Sequence, residues 1–479
     1  MRRSTTQALL LLPLFFFFFF FCGFSETGDS VAPMERKEQD ALYSVIESFV
    51  GKWWNGSGLY PDPCGWTPIQ GVSCDLFDGF WHITVLNIGP VFENSLECAQ
   101  DAKFTPELFE LKHLKSLSFY NCFSAHQPTT IPSSNWGKIS RSLETLEFRS
   151  NAGLTGSIPP NLGQLTNLQS LVLVENALTG ELPRKLGDLV HLRKLVLSGN
   201  QFAGLLPTSL GNDLNELLIL DMSRNSLTGS LPSSLGGLTS LLKLDLSNNL
   251  LHGSLPDELG MLKNLTLLDL RNNNFSGGLA HSLHTMVSLQ DMMLSNNPLG
   301  GDLNGFGWEN LVNLTTLDLS NMGLIGTIPE SITTLKSLRF LALDNNHLSG
   351  SVPPKLAALP SLTALYLNGN NLTGKLEFPE GFYERMGRRF ASWNNPNLCY
   401  NAVAVTARHV PVGVQQCKDE QQQASVENSD LRNKVDNSKP DESSSLLASF
   451  SLSASKVDGF WWLIFAQETV AAFLLVMLL

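Results

Sequence analysis

Charge is scarce in this sequence, and basic charge scarcest: 16% of its 479 residues are charged, 32 Lys and Arg against 44 Asp and Glu, for a net charge of −12. A surface that grips nucleic-acid phosphates needs clustered Lys and Arg, so that role is excluded. Cysteine is sparse as well, at seven, and no histidines stand at ligand spacing from them, which sets aside a structural zinc module. A Gly-rich phosphate loop after a strand, a kinase signature set and a nucleophile elbow are all missing. No catalytic residue, metal or cofactor is therefore assigned, and the chain is not read as an enzyme. The one tempting metal spacing, His281 and His284, falls in a variable stretch and is read as exposed surface.

What the sequence does have is a stride. Asn151, Asn176, Asn200, Asn225, Asn249, Asn273, Asn297, Asn346 and Asn370 recur at intervals of 24 or 25 residues, with Met322 standing in the one position that breaks the series. The surrounding wording repeats too, as LVLVENALTGELP, LDLSNNLLHGSLP and LALDNNHLSGSVP. This period falls within the range of leucine-rich repeats. The expected fold is an α/β solenoid, a right-handed leucine-rich-repeat horseshoe of about 10–11 repeats with disulfide-bonded caps. In each coil the L-x-L core should form a short strand with leucines inward, and successive strands should pair in parallel along the concave face. The asparagine amide supplies donors and an acceptor to turn groups that would otherwise be buried without partners.

Secretion is written into both ends. Arg2 and Arg3 precede an apolar run from Leu9 to Phe21 and the small residues Gly23 and Ser25, a signal sequence expected to be cleaved after Ser25. Cys22 leaves with it. The remaining six, Cys64, Cys74, Cys98, Cys122, Cys399 and Cys417, form an even set in an oxidising compartment and read as disulfides. They lie in two groups either side of the repeats, and Cys64 with Cys74, Cys98 with Cys122, and Cys399 with Cys417 are the expected pairs. Leu42, Val45, Ile46, Phe49 and Val50 share one helical face and predict an amphipathic cap helix. Past Cys417 a polar stretch cannot bury a core and reads as a stalk. The final GFWWLIFAQETVAAFLLVMLL then resembles a removable lipid-anchor signal with Ser443 near the attachment point, a membrane-spanning tail being the alternative. The domain boundaries are thus 1–25 signal peptide, 26–110 N-terminal cap, 111–376 repeats, 377–417 C-terminal cap, 418–445 stalk and 446–479 anchor or anchor signal.

The L-x-G-x-I-P wording, as in LTGSIPP, LTGELP and LIGTIPE, resembles the plant-specific class of leucine-rich repeats. Within it, the cap helix, the SFYNC segment before an irregular first coil and the hydrophobic end resemble the Piriformospora indica-insensitive proteins, receptor-like proteins of plants. That resemblance implies a part in how roots respond to a growth-promoting endophytic fungus.

If the chain recognises a ligand, the residues leaving the core on the strands should do it. The mid-strand column reads Glu147, Val172, Val196, Asp221, Asp245, Asp269, Met293, Asp318, Ala342 and Tyr366. Its aspartates follow the commonest wording of the repeat and are read as solvated filler. Glu147, Arg149, Glu175, Arg193, Lys194, Arg224, Arg271, Met293, Phe340 and Tyr366 depart from that wording and are the expected ligand-binding residues. Five sequons, at Asn55, Asn264, Asn274, Asn313 and Asn371, suit glycosylation of a secreted chain. The stretch AHQPTTIPSSNWGKI lengthens the first interval and reads as a bulge rather than a binding loop.

The expected function is a receptor-like protein without a kinase domain, held on the extracellular side of the cell membrane. It would bind a peptide, a glycan or a partner ectodomain and signal through a receptor-kinase co-receptor. The alternative is a secreted or wall-bound inhibitor of microbial wall-degrading enzymes.

Overall fold

In the computed structural model, residues 33–90, 96–401 and 410–418 are described. They belong to one compact unit; residues 421–479 form a second unit that lies wholly outside the described residues. The signal peptide with Ser25, the hydrophobic end with Ser443, and all of the stalk but its first residue also fall outside them. Among the described residues no helix is long and apolar enough to cross a membrane.

The structure is a leucine-rich-repeat solenoid. A helix at Arg36–Val50 comes first and buries Leu42, Val45, Ile46, Phe49 and Val50. An antiparallel hairpin follows, Val72–Phe77 with Phe80–Ile88, and its second strand pairs in parallel with Ser116–Tyr120 of the first coil. From there one strand per coil extends a sheet of 14 strands, ending at Phe390–Ala391. The leucines flanking each mid-strand residue, such as Leu244 and Leu246, are fully buried. Opposite the sheet, short helices, mostly 3-10 such as Arg184–Asp188 and Asp257–Met261 and one α-helical turn at Ser209–Asp213, close the coils; the two 3-10 helices bury their third residue, Leu186 or Leu259. Proline precedes both, since its fixed backbone angle suits the entry and no amide proton is needed there.

The asparagine slots explain the period. Asn249 donates through Nδ2 to the carbonyls of Leu246 (3.0 Å) and Ser247 (3.2 Å) in its own coil and of Met222 (3.0 Å) in the coil before. Its Oδ1 accepts the amide of Leu227, also in the coil before, at 3.1 Å. One buried side chain thus satisfies four backbone groups where the chain bends too sharply to pair with itself. Asn249→Ala is expected to cost roughly 1–3 kcal/mol through those orphaned groups, read as a lower midpoint in chemical unfolding; an unchanged midpoint would refute the ladder.

The residue before the slot makes a second, exposed row. Asn248, Asn272, Asn296, Asn321 and Asn345 all adopt a positive φ of 53–57°, which asparagine tolerates better than most side chains. The amides of Asn272, Asn296 and Asn321 each donate to the asparagine one coil earlier, at 2.8–2.9 Å. Beyond the turn, Gly253 takes a φ of 85° at the end of the strand Leu250–Gly253, one of a second, seven-strand parallel sheet.

The long first interval belongs to the array. Thr129–Thr130 is the first strand of that second sheet, while Ile131 and Trp136 are buried, the latter donating from its indole to the Pro132 carbonyl at 2.7 Å. Disulfides close both ends, Cys64–Cys74 and Cys98–Cys122 in the N-terminal region and Cys399–Cys417 in the C-terminal one. The asparagine series runs one step past Asn370, into the stretch assigned from sequence to the cap: Asn395 is buried, donates to Leu367, Ser392 and Trp393, and accepts the amide of Leu372.

Candidate functional site: the exposed face of the repeat sheet

Parallel pairing in exact register stacks equivalent residues of successive coils, so a column of the sequence becomes a column in space. Glu147, Val172, Val196, Asp221, Asp245, Asp269, Met293, Asp318, Ala342 and Tyr366 are consecutive partners along the sheet. Strands pair about 4.8 Å apart, so Asp221, Asp245 and Asp269 set three carboxylates side by side.

These aspartates have work of their own, which the sequence reading as solvated filler did not include. Oδ1 of Asp221 and of Asp245 accepts both the amide and the hydroxyl of the serine two residues on, Ser223 and Ser247, at 2.7–3.1 Å. Asp318 does the same for Ser320, and its Oδ2 accepts the hydroxyl of Ser295. Asp269 is buried and held by Arg271, Nη2 to Oδ2 at 2.7 Å. Crowding has a titration consequence. Burial, reinforced by Asp269 and Asp221, raises Asp245 to about 7, and burial with a contribution from Asp318 raises Asp344 to about 6.

The residues singled out from sequence divide by position. Glu147, Met293 and Tyr366 stand in the mid-strand column, and Lys194 and Phe340 two residues before it. Arg149 ends its strand beside Glu147 and pairs with it at 3.0 Å, just as Arg271 pairs with Asp269. Met293 is buried, at 7% exposure, and offers a ligand little surface. Glu175 and Arg224 lie in the turns after the strands, both at positive φ, and bridge two coils with a 3.3 Å ion pair. Arg193 precedes its strand and borders a shallow polar depression with Glu144, Asn167, Gln169, His191 and Glu216, the last 3.9 Å from it. Lys194 is half-buried; burial lowers its pKa against the pull of Glu147.

At the far end the face changes character. Phe340 and Tyr366 sit on neighbouring strands with ring centroids 5.7 Å apart, half-buried and open on one side. Burial raises the Tyr366 hydroxyl, and the nearby Asp344 raises it further. An aromatic pair at the edge of an acidic row can take an apolar side chain against the rings and a cation against the carboxylates. The five sequon asparagines are all exposed; Asn264 and Asn313 donate from their amides to carbonyls of the preceding coil, Thr239 and Val287.

Elsewhere, His281 and His284 share the 3-10 helix His281–Thr285, and His284 Nδ1 contacts the His281 carbonyl. In the N-terminal region the fold gathers Glu38, His82 and His113, which no spacing in the sequence announces. Burial, with a smaller contribution from His82, lowers the pKa of His113.

The family model described as "Leucine-rich repeat region" matches residues 113–404. Piriformospora indica-insensitive protein 2 of Arabidopsis thaliana is 56% identical over 151 residues, which cover 31% of this chain and 35% of that protein. Among solved structures, that of PEPR1-AtPEP1 superposes with a TM-score of 0.58 at 30% identity, covering 76% of this chain and 51% of that one. The plant peptide hormone receptor RGFR1, in complex with RGF2, gives 0.54 at 29%, covering 61% and 45%. The matches therefore span about a third of the curated relative and about half of each solved chain.

Proposed function

The chain belongs to the leucine-rich-repeat region family, with the build of plant receptor-like ectodomains, and on that premise we propose that its exposed sheet face recognises an extracellular peptide. The aromatic pair Phe340–Tyr366 beside Asp318 and Asp344 carries this reading. It joins the two features that concentrate binding energy, a partly desolvated aromatic anchor and a fixed charge. The solved relatives in complex with a peptide hormone favour a peptide over a glycan. The ligand would lay an apolar side chain on the rings and a basic one against the half-buried carboxylate of Asp318. Arg149 and Arg271, being already paired with carboxylates, would serve to shape the face.

In this reading the protein works outside the cell, tethered to its surface, and signals through a partner receptor kinase. The resemblance to Piriformospora indica-insensitive protein 2 supports a setting in the root response to a fungus.

The test is capture. Full-length tagged protein incubated with root extracellular fluid should retain a peptide identifiable by mass spectrometry. Phe340→Ala combined with Tyr366→Ala should lower its affinity about tenfold or more, with the unfolding midpoint checked to be close to wild type. Undiminished binding by the double variant would overturn the assignment, and recovery of microbial wall-degrading enzymes in place of a peptide would favour an inhibitor.

A further inference from the structure

Three segments remote in sequence meet beneath the N-terminal end of the array. Glu38 lies in the first turn of the helix Arg36–Val50, His82 near the start of the strand Phe80–Ile88, and His113 in the turn leading into Ser116–Tyr120. One oxygen or nitrogen from each falls within 4.8 Å of the other two. Glu38 and His82 are almost fully buried, at 7% and 9% exposure. Both oxygens of Glu38 are placed: Oε1 accepts the amide of Ile83 at 2.8 Å and Oε2 meets His82 Nδ1 at 2.6 Å. The His113 ring lies against His82, centroids 3.8 Å apart, and stacks on Phe77 at 5.1 Å.

The polar accounting at this cluster is incomplete. His113 Nδ1 is buried and has no hydrogen-bond partner among the described residues, whereas a buried ring nitrogen ordinarily has one. A carboxylate and two imidazoles are the donor set of zinc and its neighbours in the first transition row, while calcium and magnesium take oxygens.

We propose that Glu38, His82 and His113 bind one Zn²⁺ ion, which fastens the cap helix and the cap hairpin to the first coil. The ion takes the place of the proton between Glu38 and His82. The Ile83 amide stays on Oε1 and fixes the carboxylate's orientation, as partners of metal ligands commonly do. Phe77 holds the His113 plane from its far side. Three protein ligands leave a fourth position for water. The site is independent of the peptide reading, since it lies at the N-terminal end of the unit and shares no residue with the sheet face.

The experiment uses the full-length protein, stripped with a chelator and titrated with zinc chloride by calorimetry, with thermal unfolding followed in parallel. The expected result is one zinc per chain and a raised unfolding temperature that calcium chloride does not reproduce. His113→Leu should weaken zinc binding at least about tenfold and abolish the zinc-dependent shift, while its chelated form unfolds no earlier than chelated wild type. His281→Ala with His284→Ala should bind zinc as wild type does. Binding unaffected by His113→Leu, binding lost with the His281 and His284 pair instead, or no uptake by the wild type would each overturn the proposal.

Discussion

Asn346→Ala is expected to destabilise the protein by roughly 2–5 kcal/mol, more than the same change at Asn249, and to do so because of a residue 24 positions away. In two mid-array coils the amide of the slot residue finds a backbone carbonyl, that of Asn225 donating to Asn248 and that of Asn249 to Asn272, whereas the amide of Asn151 donates to Asn176 Oδ1. Met322 brings no side-chain amide to its slot, and its own N–H, unlike those of Asn225 and Asn249, donates to Asn346 Oδ1 at 2.9 Å. The same oxygen accepts Leu324 at 3.0 Å, while Nδ2 donates to Leu319, Leu343 and Asp344. Alanine here would orphan five backbone groups in and around a fully buried Met322. Equilibrium denaturation of both variants is the measurement. A cost at Asn346 no greater than at Asn249 would show that the off-type slot places no extra demand on its neighbour.

Stability should rise as the medium turns acid across the window set by Asp245. Its carboxyl titrates near 3.8 when unfolded and about 7 when folded, so between these values the folded chain holds a proton that the unfolded chain has released. The unfolded state binds fewer protons there, and stability must fall as pH rises from about 4 to 7. The separation converts to ~4 kcal/mol, which solvent at this half-buried group screens to roughly 1–3 kcal/mol. Asp344 adds in the same direction over a narrower window that ends at about 6. Asp245→Asn keeps an oxygen for the Ser247 amide and hydroxyl while removing the charge. It should raise the unfolding temperature at about pH 7.5 and flatten its dependence down to about pH 4. A variant as pH-sensitive as wild type would place the titration elsewhere.

The repeat sheet was legible because one period encodes it three times, in leucines, asparagines and glycines, and register then carries every column across. The cap helix was legible for a similar reason: Leu42, Val45, Ile46, Phe49 and Val50 announce a single face. What lay hidden depended on contacts between positions with no fixed spacing. Glu38 and His82 are separated by 44 residues, and no helical or strand period relates them. The pairing of Glu147 with Arg149 and of Asp269 with Arg271 could have been read, since residues two apart on a strand share a face. Met293 looked like a contact residue because it departs from the consensus, yet an apolar side chain in this column can as readily sink between its neighbours. The exposed asparagine row was written in the doublets at 248, 272, 296 and 345, and it takes the left-handed turn to show why both members are amides.

From Asn151 onward each slot asparagine donates from its side chain to a carbonyl of the coil behind it, and this gives the array a beginning and an end that cannot be exchanged. The first slot, Cys122, has no amide to offer backwards and is tied to Cys98 instead. The last coil has no successor, so its Leu367 carbonyl and Leu372 amide would be stranded had the terminal lid not retained one asparagine, Asn395, in the old position. A closing segment for such a solenoid must therefore be part coil itself, whereas an opening segment need only shield leucines.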